Sequence, residues 1–205
     1  GLVLYYDAAN SRSYSGSGST TFNLVGTVNG TLTNGVGFGT TNNGYFIFDG
    51  VNDYIDFGNS STVQQSSGTL SVWVRASSPG AFYRGIVAKQ GAYGLFFLNG
   101  VLIAYDWTAD LARTTEIDIA DNTWKNVALT YQSGVNNGTQ IYLNGISVMT
   151  TTITVLNQIN NLFGGAEANA SQFAACQISS FNMYSRALTA QEVLQNYNAT
   201  KGRFR

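Results

Sequence analysis

Short runs of aliphatic, β-branched and aromatic residues alternate with glycine, asparagine and serine along the whole chain. In Thr69-Leu-Ser-Val-Trp-Val-Arg75 the period is two, with Leu70, Val72 and Val74 on one face and Ser71, Trp73 and Arg75 on the other. The same alternation puts Val127, Leu129 and Tyr131 together. Successive side chains of a strand point to opposite faces, so these segments predict strands with one face in a core. The apolar faces should meet between two sheets. Trp73 then falls on the outward face, where a loop is expected to cover it.

Further strands are predicted at Leu2–Tyr6, Tyr45–Phe48, Tyr54–Phe57, Gly85–Lys89, Thr114–Ile119, Trp124–Tyr131 and Gln177–Tyr184, from their β-branched and aromatic content. The dipeptide Asn-Gly punctuates the chain six times. Both residues tolerate the positive φ that two-residue hairpin turns require. Leu95–Leu98 and Val101–Ala104 flank Asn99-Gly100, and Thr139–Leu143 and Ile146–Met149 flank Asn144-Gly145, so two hairpins are predicted. About a dozen short strands with turns between them make an all-β sandwich or barrel.

One helix is predicted, from Thr189 onward. Thr189 and Glu192 form a capping box, and Val193, Leu194 and Tyr197 supply an apolar stripe. It is too short to stand without packing on the sandwich. Asn10–Thr21 has the composition of a linker but follows a strong strand, and reads as a surface loop within one domain. Leu2–Tyr6, Ile178, Phe181 and Met183 are too apolar for free edges, so the first and last strands should be neighbours, with the helix closing an end of the sandwich.

The 205 residues suit a single domain, residues 1–200, followed by a basic tail, Lys201-Gly-Arg-Phe-Arg205. That tail reads either as a solvated terminus or as a docking peptide for an acidic neighbour. The net charge of −1 gives no footprint for nucleic acid. No run of 18 apolar residues is present for a membrane helix, and no membrane insertion is expected. The first residue is Gly, so the sequence reads as processed or as a piece of something longer. The chain has no His and a single Cys, Cys176. Cys176 can form no internal disulfide, and without His neither a Ser/His/Asp nor a Cys/His scheme can be assembled.

An ordered series of segments now becomes informative: Leu2-Val-Leu-Tyr-Tyr-Asp-Ala-Ala-Asn10, Asn29-Gly-Thr-Leu-Thr-Asn-Gly35, Phe48-Asp-Gly-Val-Asn-Asp-Tyr-Ile55, Leu70-Ser-Val-Trp-Val74, Thr123-Trp-Lys-Asn-Val-Ala128, Ile141-Tyr-Leu-Asn-Gly145 and Tyr184-Ser-Arg-Ala-Leu-Thr-Ala-Gln-Glu-Val193. Taken in order, it resembles laminin-G-like, concanavalin A-like lectin/glucanase domains, in wording most like copies in structural proteins of marine tailed bacteriophages. The resemblance implies a jelly-roll sandwich of two antiparallel sheets with one short C-terminal helix. It also implies virion-surface or extracellular placement, with other virion proteins or copies of the same chain as partners, and binding rather than catalysis.

Glycosidases on this superfold carry Glu-x-Asp-x-Glu on one strand. The chain offers Glu116-Ile-Asp118-Ile-Ala120, with Ala in the third place, and only three Glu in all. A retaining mechanism needs two carboxyl groups about 5 Å apart, so no enzyme and no catalytic residue is expected. Family members often hold calcium through an Asp-x-Ser-Gly motif, and this chain has Asn23-Leu-Val-Gly26 there. Asp49, Asp53 and Asp56 cluster, either as turn residues or as calcium ligands; no cofactor is expected, with calcium as the exception. For a host-surface glycan the best candidates are Tyr105, Asp106, Trp107 and Asp110, with the carboxylates accepting from hydroxyls beside the Trp107 ring. The competing reading packs Tyr105 and Trp107 under a loop. Phe82, Tyr83 and Arg84 form a second aromatic patch, suited to a protein contact.

Overall fold

The computed structural model describes residues 1–77, 80, 82–167 and 171–204. Sixteen strands form among them: β1 (Leu2–Asp7), β2 (Thr20–Thr21), β3 (Gly30–Thr33), β4 (Gly37–Gly39), β5 (Tyr45–Asp49), β6 (Tyr54–Asp56), β7 (Ser67–Ala76), β8 (Tyr83–Lys89), β9 (Tyr93–Leu98), β10 (Val101–Asp106), β11 (Leu111–Asp118), β12 (Lys125–Gln132), β13 (Thr139–Leu143), β14 (Ile146–Thr151), β15 (Leu162–Gly164) and β16 (Ala175–Tyr184). One sheet runs β14-β13-β12-β7-β16-β5-β4, with β1 also on β16; the other runs β11-β10-β9-β8-β15-β6-β3-β2. Every pairing is antiparallel. The two stacked sheets are the expected jelly-roll sandwich.

The core lies where the period-two pattern put it. Leu70, Val72 and Val74 of β7 and Val127, Leu129 and Tyr131 of β12 share a buried cluster with Tyr93, Leu95 and Phe97 of β9 and Leu102 and Ala104 of β10. Both Asn-Gly hairpins form. Asn99 and Gly100 sit at φ 52° and 86°, Asn144 and Gly145 at φ 52° and 80°, the two positive values a type I′ turn needs. β2, β3, β4 and β15 had no sequence prediction. They are two to four residues long and rich in Gly or Thr, and their pairing comes from the neighbouring strands.

β1 pairs with β16 as expected, from Leu2 opposite Tyr184 to Asp7 opposite Ser180. The Asn10–Thr21 loop is tied down rather than loose. Its Tyr14 is buried, with its ring 5.2 Å from Phe38 and 5.0 Å from Phe46.

Two expectations at the C-terminus are corrected. The helix α1 (Ala190–Thr200) does not close an end of the sandwich; it lies on the outward face of the first sheet. Leu188 and Val193 pack there on Ala128 and Tyr142. Trp73 is covered by this helix rather than by a loop, with Tyr197 stacked 5.8 Å away and its indole N–H donated to Thr200 Oγ1 at 2.8 Å. Nor is Lys201–Phe204 a solvated tail. It forms a 3₁₀ turn whose Phe204 ring lies against Trp73 and Trp124. Arg203 reaches Asp7 at 2.8 Å and also donates to the carbonyls of Asn42 and Gly44. A ring and a paired guanidinium make these last residues part of the fold; Arg205 lies outside the described residues.

Candidate functional site: an aromatic cleft on the outer sheet face

The outward face of the second sheet is apolar. Ala88 of β8, Phe96 of β9 and Ile103 of β10 are buried on it, under Tyr83, Leu98, Val101, Tyr105, Trp107 and Ala112. This follows from period two: Leu95 and Phe97 point into the core, so Phe96 must point out. Ile103, between Leu102 and Ala104, is placed the same way.

On this face the rings meet edge to face. Tyr83 and Tyr105 are 5.4 Å apart at 86°, Tyr105 and Trp107 5.3 Å apart at 62°, and Phe96 and Trp107 5.9 Å apart at 59°. They line a cleft of about 230 Å³ together with Gln90, Asp110 and Gln172. Crossed rings present both faces and edges to the open volume.

Asp110, at φ 52° in the turn after β10, accepts from the Tyr105 hydroxyl at 2.6 Å. That bond, with burial and the charges of Asp110 and Glu167, pushes the Tyr105 phenol up to about 12. Glu167 is buried behind the cleft, and burial raises its carboxyl to about 6, against a smaller lowering by hydrogen bonding from the Trp107 side chain. Its segment can approach because Gly85 leaves room: a Cβ at 85 would stand 2.3 Å from the Ala166 carbonyl oxygen.

The sequence candidates therefore divide. Tyr105, Trp107 and Asp110 do line one cleft, and Tyr83 joins them from the other patch. Asp106 does not. It is buried and turned away, paired with Arg113 at 2.8 Å, and accepts from Ala109 N–H and Thr154 N–H. Arg84 also points elsewhere, donating to the Phe173 carbonyl at 3.2 Å. Phe82 stands 70% exposed and takes no part in the cleft lining. The competing expectation of a covered Trp107 holds only in part: its ring packs on Phe96 and Tyr105 yet still lines open volume. Sequence reasoning missed Gln90, Phe96, Gln172 and Glu167. Phe96 was legible from alternation alone; the others reach the site from loops distant in sequence.

The suspected calcium ligands do not fit the ion. Asn23 Oδ1 accepts from the Tyr5 and Val25 N–H groups, and its Nδ2 donates to the Val3 carbonyl. Asp49 Oδ1 accepts from Val51 and Asn52, Asp53 Oδ2 from Asp49 N–H, and Asp56 from Gly58 and Asn161. These oxygens are committed to turns and clamps, while Asp53 Oδ1 is buried with no hydrogen-bond partner. No group of three or more His, Cys, Asp or Glu stands close enough to hold a metal among the described residues. Glu116 and Asp118 sit on the β11 edge, where a break in register and φ 61° at Glu116 interrupt the alternation an active-site strand would need. No helix among the described residues is long and apolar enough to cross a membrane.

Residues 49–194 match the family model described as Concanavalin A-like lectin/glucanases superfamily. No curated protein matches the sequence. Among solved structures the chain resembles the binding domain of Paraclostridial Mosquitocidal Protein 1 (TM-score 0.74, 17% identity, 97% of this chain and 52% of that one). It also resembles the botulinum neurotoxin serotype D binding domain (TM-score 0.70, 16% identity, 97% and 51%) and Trypanosoma rangeli sialidase in complex with sialic acid (TM-score 0.74, 15% identity, 99% and 33%). The chain thus spans about half the length of the two toxin domains and a third of the sialidase chain. At these identities the likeness is one of fold.

Proposed function

The chain belongs to the Concanavalin A-like lectin/glucanases superfamily, and from that premise we propose that it is a non-enzymatic binding module that takes carbohydrate in the Trp107 cleft. The observation that carries this reading is the set of crossed rings from Tyr83, Phe96, Tyr105 and Trp107 around an open volume edged by Gln90, Asp110 and Gln172. Aromatic rings take the apolar side of a pyranose, while the amides and the carboxylate answer its hydroxyls. The size suits one sugar ring better than a drug-sized ligand. Two of the similar folds being toxin binding domains supports the binding class.

A non-enzymatic role fits the carboxylates. Asp110 is engaged by a phenol, Glu167 is absent from the cleft lining, and Glu192 is spent on its helix cap. Among the described residues no pair of carboxyl groups lines the open volume, as two-carboxylate glycoside hydrolysis would need. Placement on a virion surface, as a decoration or fibre domain, belongs to the same proposal and rests on the wording of the sequence; an adhesion module of a secreted or cell-surface bacterial protein is the alternative. Exposed Phe82 is available there for a protein neighbour.

A glycan array probed with the wild-type chain and with Trp107→Ala is the test. Binding that is lost in the variant, with an unchanged far-ultraviolet spectrum, supports the reading. Retained binding, or none by the wild type, overturns it.

A further inference from the structure

Resting on that reading of the cleft, we propose that its sugar is a cationic one: a hexosamine with a free, protonated amino group, held over the rings of Tyr105 and Trp107.

The Tyr105 hydroxyl donates to the Asp110 carboxylate at 2.6 Å. Glu167 is buried in the segment that closes on Gly85 of β8, and its charge acts on the Tyr105 phenol. An aromatic N–H or O–H that donates to an anion gains electron density in its ring. A denser ring face attracts a cation more strongly, because the attraction comes from the ring quadrupole. Tyr83, at 86° to Tyr105, and Phe96, at 59° to Trp107, add walls to the same volume. Crossed rings with carboxylates beside them form the arrangement that recognises organic ammonium groups.

The charges around the cleft agree. Neither lysine nor arginine lines it among the described residues. Arg84, next to Tyr83 on β8, is turned to the Phe173 carbonyl, and Arg113 on β11 is paired with Asp106. Lys89, at the end of β8, is buried and donates to Asn59 and the Asn160 carbonyl. The titratable side chains beside Asp110 in the cleft are therefore Tyr83 and Tyr105, and neither is a cation. Asp110 edges the cleft with no lysine or arginine in its lining among the described residues, and Glu167, outside that lining, is buried although burial disfavours its charge. An ammonium on the ligand would supply the missing counter-charge. An acidic sugar would meet like charge, and an N-acetylated one would bring no charge at all. Gln90 and Gln172 remain for the ring hydroxyls.

Calorimetry on the full chain at pH 7 and low salt tests this with four probes: a chitosan tetrasaccharide with free amines, its fully N-acetylated counterpart, cellotetraose and sialyllactose. The free amine is expected to bind about tenfold more tightly than its N-acetylated counterpart, and sialyllactose least. Glu167→Gln should cut that preference several-fold, a change in selectivity that a purely structural role would not produce. Equal or tighter binding of the neutral or N-acetylated probe overturns the cationic ligand but leaves carbohydrate binding standing. Unchanged preference in Glu167→Gln overturns the role of that carboxylate. Failure of all four probes overturns the carbohydrate reading itself, and this inference with it.

Discussion

The Phe204 ring lies 4.0 Å from the Trp73 indole, centroid to centroid, with 19° between their planes. Trp73 sits in the middle of the first sheet and Phe204 near the end of the chain, so this stack fastens the terminus to the sheet. Trp124 flanks the same ring at 5.1 Å, and Arg75 spans Trp124 and Tyr45 from above. Phe204→Ala removes the stack and uncovers the Trp73 face. The expected cost is about 1–3 kcal/mol of stability, from lost burial and ring pairing. Denaturant unfolding followed by tryptophan emission would measure it. A midpoint equal to wild type would mean that the terminus is not docked in solution.

Lys89 is 0% exposed, and among the described residues its ammonium donates to the Asn59 side chain and the Asn160 carbonyl. Burial pulls it down to about 8, from 10.5. Between those values the unfolded chain holds the proton and the folded chain has released it. The unfolded state then binds more protons, so this group makes stability rise as pH climbs from about 8 towards 10. Cys176, pushed up to about 12 by burial, acts oppositely above 9. The difference between wild type and Lys89→Met isolates the lysine. The variant should be the more stable at pH 7, by roughly 1–3 kcal/mol, with the gap closing by pH 10. A gap independent of pH would show that the lysine is not charged and buried.

Glu167 gives the reverse case. Its carboxyl is raised from 4.5 to about 6, so the folded chain keeps the proton in a range where the unfolded chain has lost it. Stability from this group is present below 4.5 and declines as pH rises through 6. Glu167→Gln should therefore be more stable than wild type at pH 7, by about 1–2 kcal/mol, and no more stable at pH 4. Thermal melts of both chains at the two pH values would check this. A destabilised variant at pH 7 would indicate that the ionised carboxylate is held by stronger partners than burial costs.

At the head of α1, Thr189 Oγ1 accepts from Glu192 N–H, and the Glu192 carboxylate accepts from Thr189 N–H and pairs with Arg186. Thr189→Ala should cost roughly 0.5–2 kcal/mol. Because α1 covers Trp73, the loss should appear in tryptophan emission at the same denaturant concentration as in far-ultraviolet circular dichroism. Separate transitions would mean that the helix frays independently of the sandwich.

Period-two alternation and turn chemistry are local, and they determined the sandwich by themselves. Leu70, Val72 and Val74 declared a core face, Asn99-Gly100 and Asn144-Gly145 declared their hairpins, and Thr189 with Glu192 declared a helix start, because in each case the partners lie within a few residues of one another. Three rings of the candidate cleft were visible in the same way, as the aromatic residues Tyr83, Tyr105 and Trp107. What the local pattern could not decide was direction. Asp106 and Asp110 are both acidic and four residues apart, yet one is buried against Arg113 and the other edges the cleft, since the turn between them reverses which side each faces. Nor could it decide company. The Glu167 segment closes on β8 only because Gly85 leaves it room. Arg203 and Phe204 read as part of a basic tail, solvated or docking on an acidic neighbour, until the fold offers Asp7, Trp73 and Trp124 as partners. Contacts between residues far apart in sequence are set by how the sheets stack and where the chain returns, and only the tertiary structure holds that information.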